Sequence, residues 1–183
     1  LTLTDGRLRH SATELMSYGR CERRHWLKYI AGLREPTLDR QGGGNGNGSA
    51  TVRGQIVHDV LEHLGDEDID NLLETAIGRW DTDAPTPDGP AGGAYRRRLR
   101  TDIDAVAGNP AYRALAETPG AQRELTFMQL AGDGVVLEGA IDLAARPAEG
   151  LVLLDVKTHR GAGDMSEVVA RYQLQRDAYV AAV

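Results

Sequence analysis

Residues 138–160 read EGAIDLAARPAEGLVLLDVKTHR: two apolar runs, each closing on an aspartate, Asp142 and Asp155, with Lys157 two positions beyond the second. Lys28 and Lys157 are the only lysines in the 183 residues, so one of them stands at the end of the most apolar segment, beside an acid. In an extended segment residues i and i+2 share a face, which sends Asp155 and Lys157 one way and Val156 the other. If the two runs pair as a hairpin through PAEG at 147–150, the two acids come close together. Carboxylates so placed repel, and one takes up a proton unless a cation lies between them. A hard divalent cation such as Mg²⁺ suits that need, and a neighbouring lysine balances charge and orients or deprotonates a water. Phosphodiester hydrolysis requires both. An isolated Asp-x-Lys is equally a surface ion pair, so the surrounding chain has to decide.

Working outward, residues 122–132, 134–146 and 150–158 are three consecutive strand candidates with short connections, which favour an antiparallel meander. Upstream, the periodic segments have helical period. Residues 10–33 carry Ser11 and Glu14 at capping-box spacing, with Gly19 expected to divide the run and Gly32 to stop it. The basic group Arg20, Arg23, Arg24 and His25 within it is either a solvated face or a phosphate contact. In 54–65, Val57, Val60, Leu61 and Leu64 form one stripe with His58 beside it. Helices are also expected over 68–80 and 94–109, and a short one from Pro110 to before Pro119. Residues 41–52 and 81–94 read as flexible loops by composition. Residues 164–183 are helical, with Val168, Tyr172, Gln175 and Tyr179 on one face; the pattern is still running at Val183, so the natural polypeptide is expected to continue. Helices, then a sheet, then a helix make an α/β fold (α+β by order of elements) around a central mixed sheet.

Composition sets the outer limits. Hydrophobic residues are 41% and charged residues 26%, as in a globular protein. No apolar run reaches the roughly 20 residues that span a bilayer, so no membrane partner is expected. The single cysteine, Cys21, excludes an internal disulfide and fits a cytoplasmic protein. A net charge of −6 argues against a protein that coats nucleic acid by charge alone, yet is compatible with a nuclease whose acids hold cations. No Gly-x-x-x-x-Gly-Lys-Ser/Thr loop occurs, so an ATPase or helicase partner would lie outside these residues.

The segment GAIDLAARPAEGLVLLDVKT, at 139–158, resembles the core of the PD-(D/E)XK nucleases, specifically the RecB-type branch of helicase–nucleases and CRISPR-adaptation nucleases. Four more segments match in order: SATELMSYGRCERRHWLKYIAGL, with Glu22 where the branch usually has proline; RGQIVHDVLEHL around His58; RELTFMQLAGDGVVLEG with Glu124; and YQLQRDAY with Gln175 and Tyr179. The resemblance implies one restriction-endonuclease-like domain over 1–183, an antiparallel meander flanked by helices with a helical N-terminal half. It implies that Asp142, Asp155, His58 and the Val156 carbonyl hold Mg²⁺ or Mn²⁺, that Lys157 positions the attacking water, and that Glu124 joins the catalytic set. Gln175, Tyr179, Tyr172 and Arg24 would support the site or hold DNA. Taken by themselves, His58 is also readable as a half-buried helical histidine, Glu124 as an edge-strand charge, and Gln175 and Tyr179 as helix packing; His63 is left structural.

Cys21 has a separate reading. In some branch members a cysteine here joins three near the C-terminus around an iron–sulfur cluster. Those three are absent from these residues, so no cluster is expected and Cys21 is read as a buried helical cysteine. The expected activity is that of a metal-dependent deoxyribonuclease, exonuclease-like, acting on single strands or duplex ends in repair and recombination, alone or with a helicase. The alternatives are a CRISPR-adaptation-type nuclease and a catalytically inactive DNA-binding or scaffold module.

Overall fold

A computed structural model describes residues 8–33, 50–131, 134–158 and 164–183. The elements run β1 (Leu8–Ser11), α1 (Ala12–Arg20), α2 (Glu22–His25), a π-helical stretch (Trp26–Ile30), α3 (Ala50–Glu62), α4 (Ile69–Trp80), α5 (Pro90–Ala107), α6 (Pro110–Ala116), β2 (Gln122–Leu130), β3 (Val135–Ala145), β4 (Val152–Leu154), α7 (Met165–Arg171) and α8 (Gln173–Ala182). The sheet is mixed, in the order β1-β3-β2 with β4 also on β3. β1 pairs parallel to β3 and β4 pairs antiparallel to it. This is the α/β arrangement expected, with helices before the three strands read from the sequence.

The chain divides into two compact units. The first comprises Leu1–Gln41, Leu125–Ile141 and Gly161–Val183; the second comprises Gly42–Glu124 and Asp142–Arg160. In the second unit α3, α4, α5 and α6 bury their apolar stripes together. Ile56, Val57, Val60 and Leu61 meet Leu73, Ile77, Tyr95, Leu99, Ile103, Tyr112 and Leu115, and Leu143 and Val156 close the cluster from the sheet side. Burial of that apolar area drives the packing of helices that would be marginal alone. Caps set the helix starts: Asp68 accepts from the Asp70 N–H, and Asn109 from the Ala111 and Tyr112 N–H groups just before Pro110.

In the first unit, Ser11 ends β1 and caps α1, accepting from the Glu14 N–H at 3.1 Å. Tyr179 of α8 packs edge-on against Phe127 of β2, with centroids 5.6 Å apart. Gly139 permits this: a Cβ there would stand 2.8 Å from the Phe127 ring and 3.5 Å from Tyr179.

Several boundaries depart from the sequence reading. β1 was not expected; its four residues are too few to show a period, and β3 supplies the pairing. The helical run from residue 10 breaks at Cys21, not Gly19, because Cys21 is extended (φ −166°, ψ 105°). Gly19 stays helical, and a Cβ on it would lie 2.7 Å from Leu174. The loop readings overrun, since α3 begins at Ala50 and α5 at Pro90; residues 41–49 of the first loop lie outside the described residues. The C-terminal helix is two helices, parted at Tyr172 (φ −101°, ψ 7°).

Candidate active site

β3 and β4 pair as Leu143↔Leu154, Ala144↔Leu153 and Ala145↔Val152. One further step in that antiparallel register sets Asp142 opposite Asp155. The ladder stops there because the Val156 N–H donates to Asp142 Oδ2 instead of to a strand carbonyl. The Val156 side chain turns into the core, at 6% exposure, and Lys157 Nζ lies 2.6 Å from Asp155 Oδ2. Asp155 and Lys157 therefore share a face and Val156 takes the other, as alternation requires.

Asp142 also reaches α3: His58 Nδ1 bonds its Oδ1 at 3.0 Å, and Glu124 Oε1 stands 3.8 Å from the same nitrogen. Asp142 is thus an acceptor for two donors from two elements. Its hydrogen bond to His58, with Glu124 second, pushes the His58 pKa up to about 10 against the opposing effect of burial. With its pKa raised in this way, His58 is an imidazolium at neutral pH, and its single positive charge offsets one of the two carboxylate charges it faces. Burial raises the Asp155 pKa above the ordinary carboxylate range; Asp142 adds to the rise and Lys157 opposes it. Glu124 takes its place through a left-handed backbone (φ 46°), unusual for a residue with a side chain and costing on the order of 1–3 kcal/mol.

Ligand atoms of His58, Glu124 and Asp142 lie within 4.8 Å of one another. Carboxylate oxygens with one imidazole nitrogen form a donor set that suits a divalent cation. The fit rests on the convergence of these three side chains, two of them carboxylates, on one point. Asp59 and Glu62 of α3 and His63 just beyond its end form a second such trio. Both Asp59 oxygens, however, are taken: Oδ1 and Oδ2 accept from Arg79 Nη1 at 2.8 and 2.9 Å, and Oδ2 from the Trp80 indole N–H at 2.7 Å. Behind Lys157, Arg53 Nη2 donates to the Thr158 carbonyl, tying the start of α3 to the segment that carries the lysine.

A profile of the PD-(D/E)XK nuclease superfamily matches residues 9–183. The chain belongs to the PD-(D/E)XK nuclease superfamily. A search of curated proteins returns no match. Within this nuclease-superfamily chain the second unit brings together His58, Glu124, Asp142, Asp155, Val156 and Lys157.

The other residues singled out from the sequence lie in the first unit. Gln175 and Tyr179 are buried on α8 and bonded to each other, Nε2 to Oη at 2.5 Å. Arg24 and Tyr172 line a cleft of about 380 Å³ with Arg20, Lys28, Tyr29 and Leu174, and no carboxylate is among its lining residues. One wall is braced by Glu14, whose Oε1 lies 3.0 Å from His10 Nδ1 and 3.0 Å from His25 Nε2; the His25 ring stacks on Tyr29 at 5.3 Å. Burial works to raise the Glu14 pKa, and the two histidine bonds outweigh it, holding the carboxyl below its ordinary value. Cys21 is exposed, correcting the buried helical reading: it lies at the break between α1 and α2, where its N–H caps Ser17. Asp59, Arg79, Trp80 and Arg53 were not singled out by sequence, because residues about 20 or 100 apart show no spacing that links them. Among the described residues, no helix is long and apolar enough to cross a membrane.

Proposed function

We propose that the protein is a Mg²⁺- or Mn²⁺-dependent deoxyribonuclease of the RecB-type branch, exonuclease-like, taking single strands or duplex ends in DNA repair and recombination, with a helicase as partner. The observation that carries this reading is the meeting at one strand end of Asp142, held by His58 and the Val156 N–H, with the Asp155–Lys157 pair.

His58, Glu124, Asp142, Asp155 and the Val156 carbonyl would hold the cation, which supplies Lewis-acid stabilisation of phosphate charge and a more acidic water. Val156 N–H fixes the Asp142 carboxylate, and His58 would have to give up its proton to serve as a ligand. Lys157 places a positive charge where negative charge grows on the phosphate and orients the attacking water. Gln175 and Tyr179 hold the helix face that supports the sheet. The cleft with Arg20, Arg24, Lys28, Tyr29 and Tyr172 is proposed to carry the strand, its cations on phosphates and its tyrosines under bases.

Cleavage of end-labelled single-stranded and duplex DNA, with Mg²⁺, with Mn²⁺ and with chelator, tests the reading. Cation-dependent cleavage that disappears in the chelator supports it. DNA binding without cleavage under any cation points to the scaffold alternative.

A further inference from the structure

We propose that the cavity beside His58, Glu124 and Asp142 is a subsite for a single nucleotide, whose base rests on Trp80 and whose phosphate meets Arg79. The cavity is about 450 Å³, within the ~300–1,000 Å³ range of small-ligand sites. Arg79 and Trp80 belong to the same lining as the three candidate ligands.

What marks it as a built site is Asp59. Its side chain is only 9% exposed, and it fixes both neighbours at once through Arg79 Nη1 and the Trp80 indole N–H. The indole has one polar atom, and Asp59 takes it. What the ring then offers a ligand is its π face, and Trp80 is 39% exposed, so that face is reachable. Among the described residues the Arg79 guanidinium bonds through Nη1, leaving the rest of its donor fork for a phosphate. With both oxygens engaged, Asp59 anchors these two side chains and does not act as a metal ligand.

Charge supplies the condition for binding. Asp59, Glu62, Glu124 and Asp142 all line the cavity against the single arginine. A free phosphate is repelled by such a wall, so nucleotide binding requires the divalent cation. The inference rests on the nuclease reading for that cation, and it adds the ligand: a nucleoside 5′-monophosphate, or the terminal nucleotide of a strand.

Trp26 and Trp80 are the only tryptophans, so Trp26→Phe leaves Trp80 as sole reporter in the full chain. Thymidine 5′-monophosphate contains no phosphodiester to cleave. Titrated with Mg²⁺ present, it is expected to quench Trp80 fluorescence saturably, and not to do so in chelator. Calorimetry is expected to give about 10-fold or greater weakening for Trp80→Ala, and near wild-type affinity for Trp80→Phe, which keeps a stacking ring without the Asp59 bond. Deoxyribose 5-phosphate is expected to be insensitive to Trp80→Ala but weakened by Arg79→Gln. In strand cleavage, Trp80→Ala raises KM about 10-fold with kcat little changed. Absence of quenching where calorimetry shows Mg²⁺ bound overturns the subsite, as does a folded Trp80→Ala that binds the nucleotide like wild type. Cleavage that proceeds with Trp80→Ala unaffected in KM sinks the subsite alone. Nucleotide binding with no cleavage by the wild type keeps the subsite and removes the nuclease reading.

Discussion

The cavity of the second unit and the cleft of the first are opposites. One is lined by four carboxylates and one arginine; the other by two arginines, a lysine and two tyrosines, with no acid among the lining residues. A net charge of −6 averages over both and describes neither. The acidic region contains a cluster that could hold a divalent cation, and its carboxylates Asp142 and Glu124 raise the His58 pKa. The basic region is the one proposed to take phosphates and bases.

The sharpest way to break the comparison is to damage each side separately. Asp142→Asn removes the acceptor shared by His58 and Val156 and is expected to cut cleavage on the order of 10³-fold, with single-strand binding in chelator unchanged. A gel-based cleavage assay beside fluorescence anisotropy reads both. The triple change Arg20→Ala, Arg24→Ala and Lys28→Ala is expected to do the reverse. Strand affinity falls, and the slope of log K against log salt becomes shallower by about 2, from roughly 0.7 per phosphate contact on a single strand, while cleavage of a dinucleotide is unaffected. An unchanged salt slope removes the cleft from the strand's path.

How far the chain announced this division depends on the residue. Asp142, Asp155 and Lys157 were legible because a short connection favours a hairpin and strand alternation sorts faces, both local rules. The paired strand itself is shorter than its apolar run suggests: β4 ends at Leu154, and the Asp142 carboxylate takes the Val156 N–H two residues on. Glu124 was ambiguous because its left-handed φ, which no strand pattern contains, belongs to its partners His58 and Asp142 and not to its neighbours in sequence. Arg24 sat in a visibly basic run, but the cleft that gives the run meaning also needs Tyr172 from the far end of the chain. Asp59 with Arg79 and Trp80 was invisible, being a link between the two helices α3 and α4.

Two smaller effects sharpen the acidic side. His58 has a folded pKa of about 10, above its ordinary 6.5, so in chelator its contribution to stability is full below pH 6.5 and is lost as pH rises toward 10. Urea midpoints of the metal-free protein are expected to fall across that window, and His58→Gln is expected to flatten the fall. Glu124→Gly relieves the left-handed backbone and is expected to leave stability unchanged or raise it by about 1 kcal/mol, while weakening cation binding measured by calorimetry. A large loss of stability there contradicts the view that Glu124 is held in place for its carboxylate.

The most direct test is cleavage by Lys157→Ala, measured with cation binding on the same sample. The ammonium paired with Asp155 is expected to matter to the reaction and not to the fold, so the variant should melt like wild type, still bind Mn²⁺, and cleave at least ~100-fold more slowly. Cleavage near the wild-type rate by a folded, cation-loaded Lys157→Ala contradicts the account.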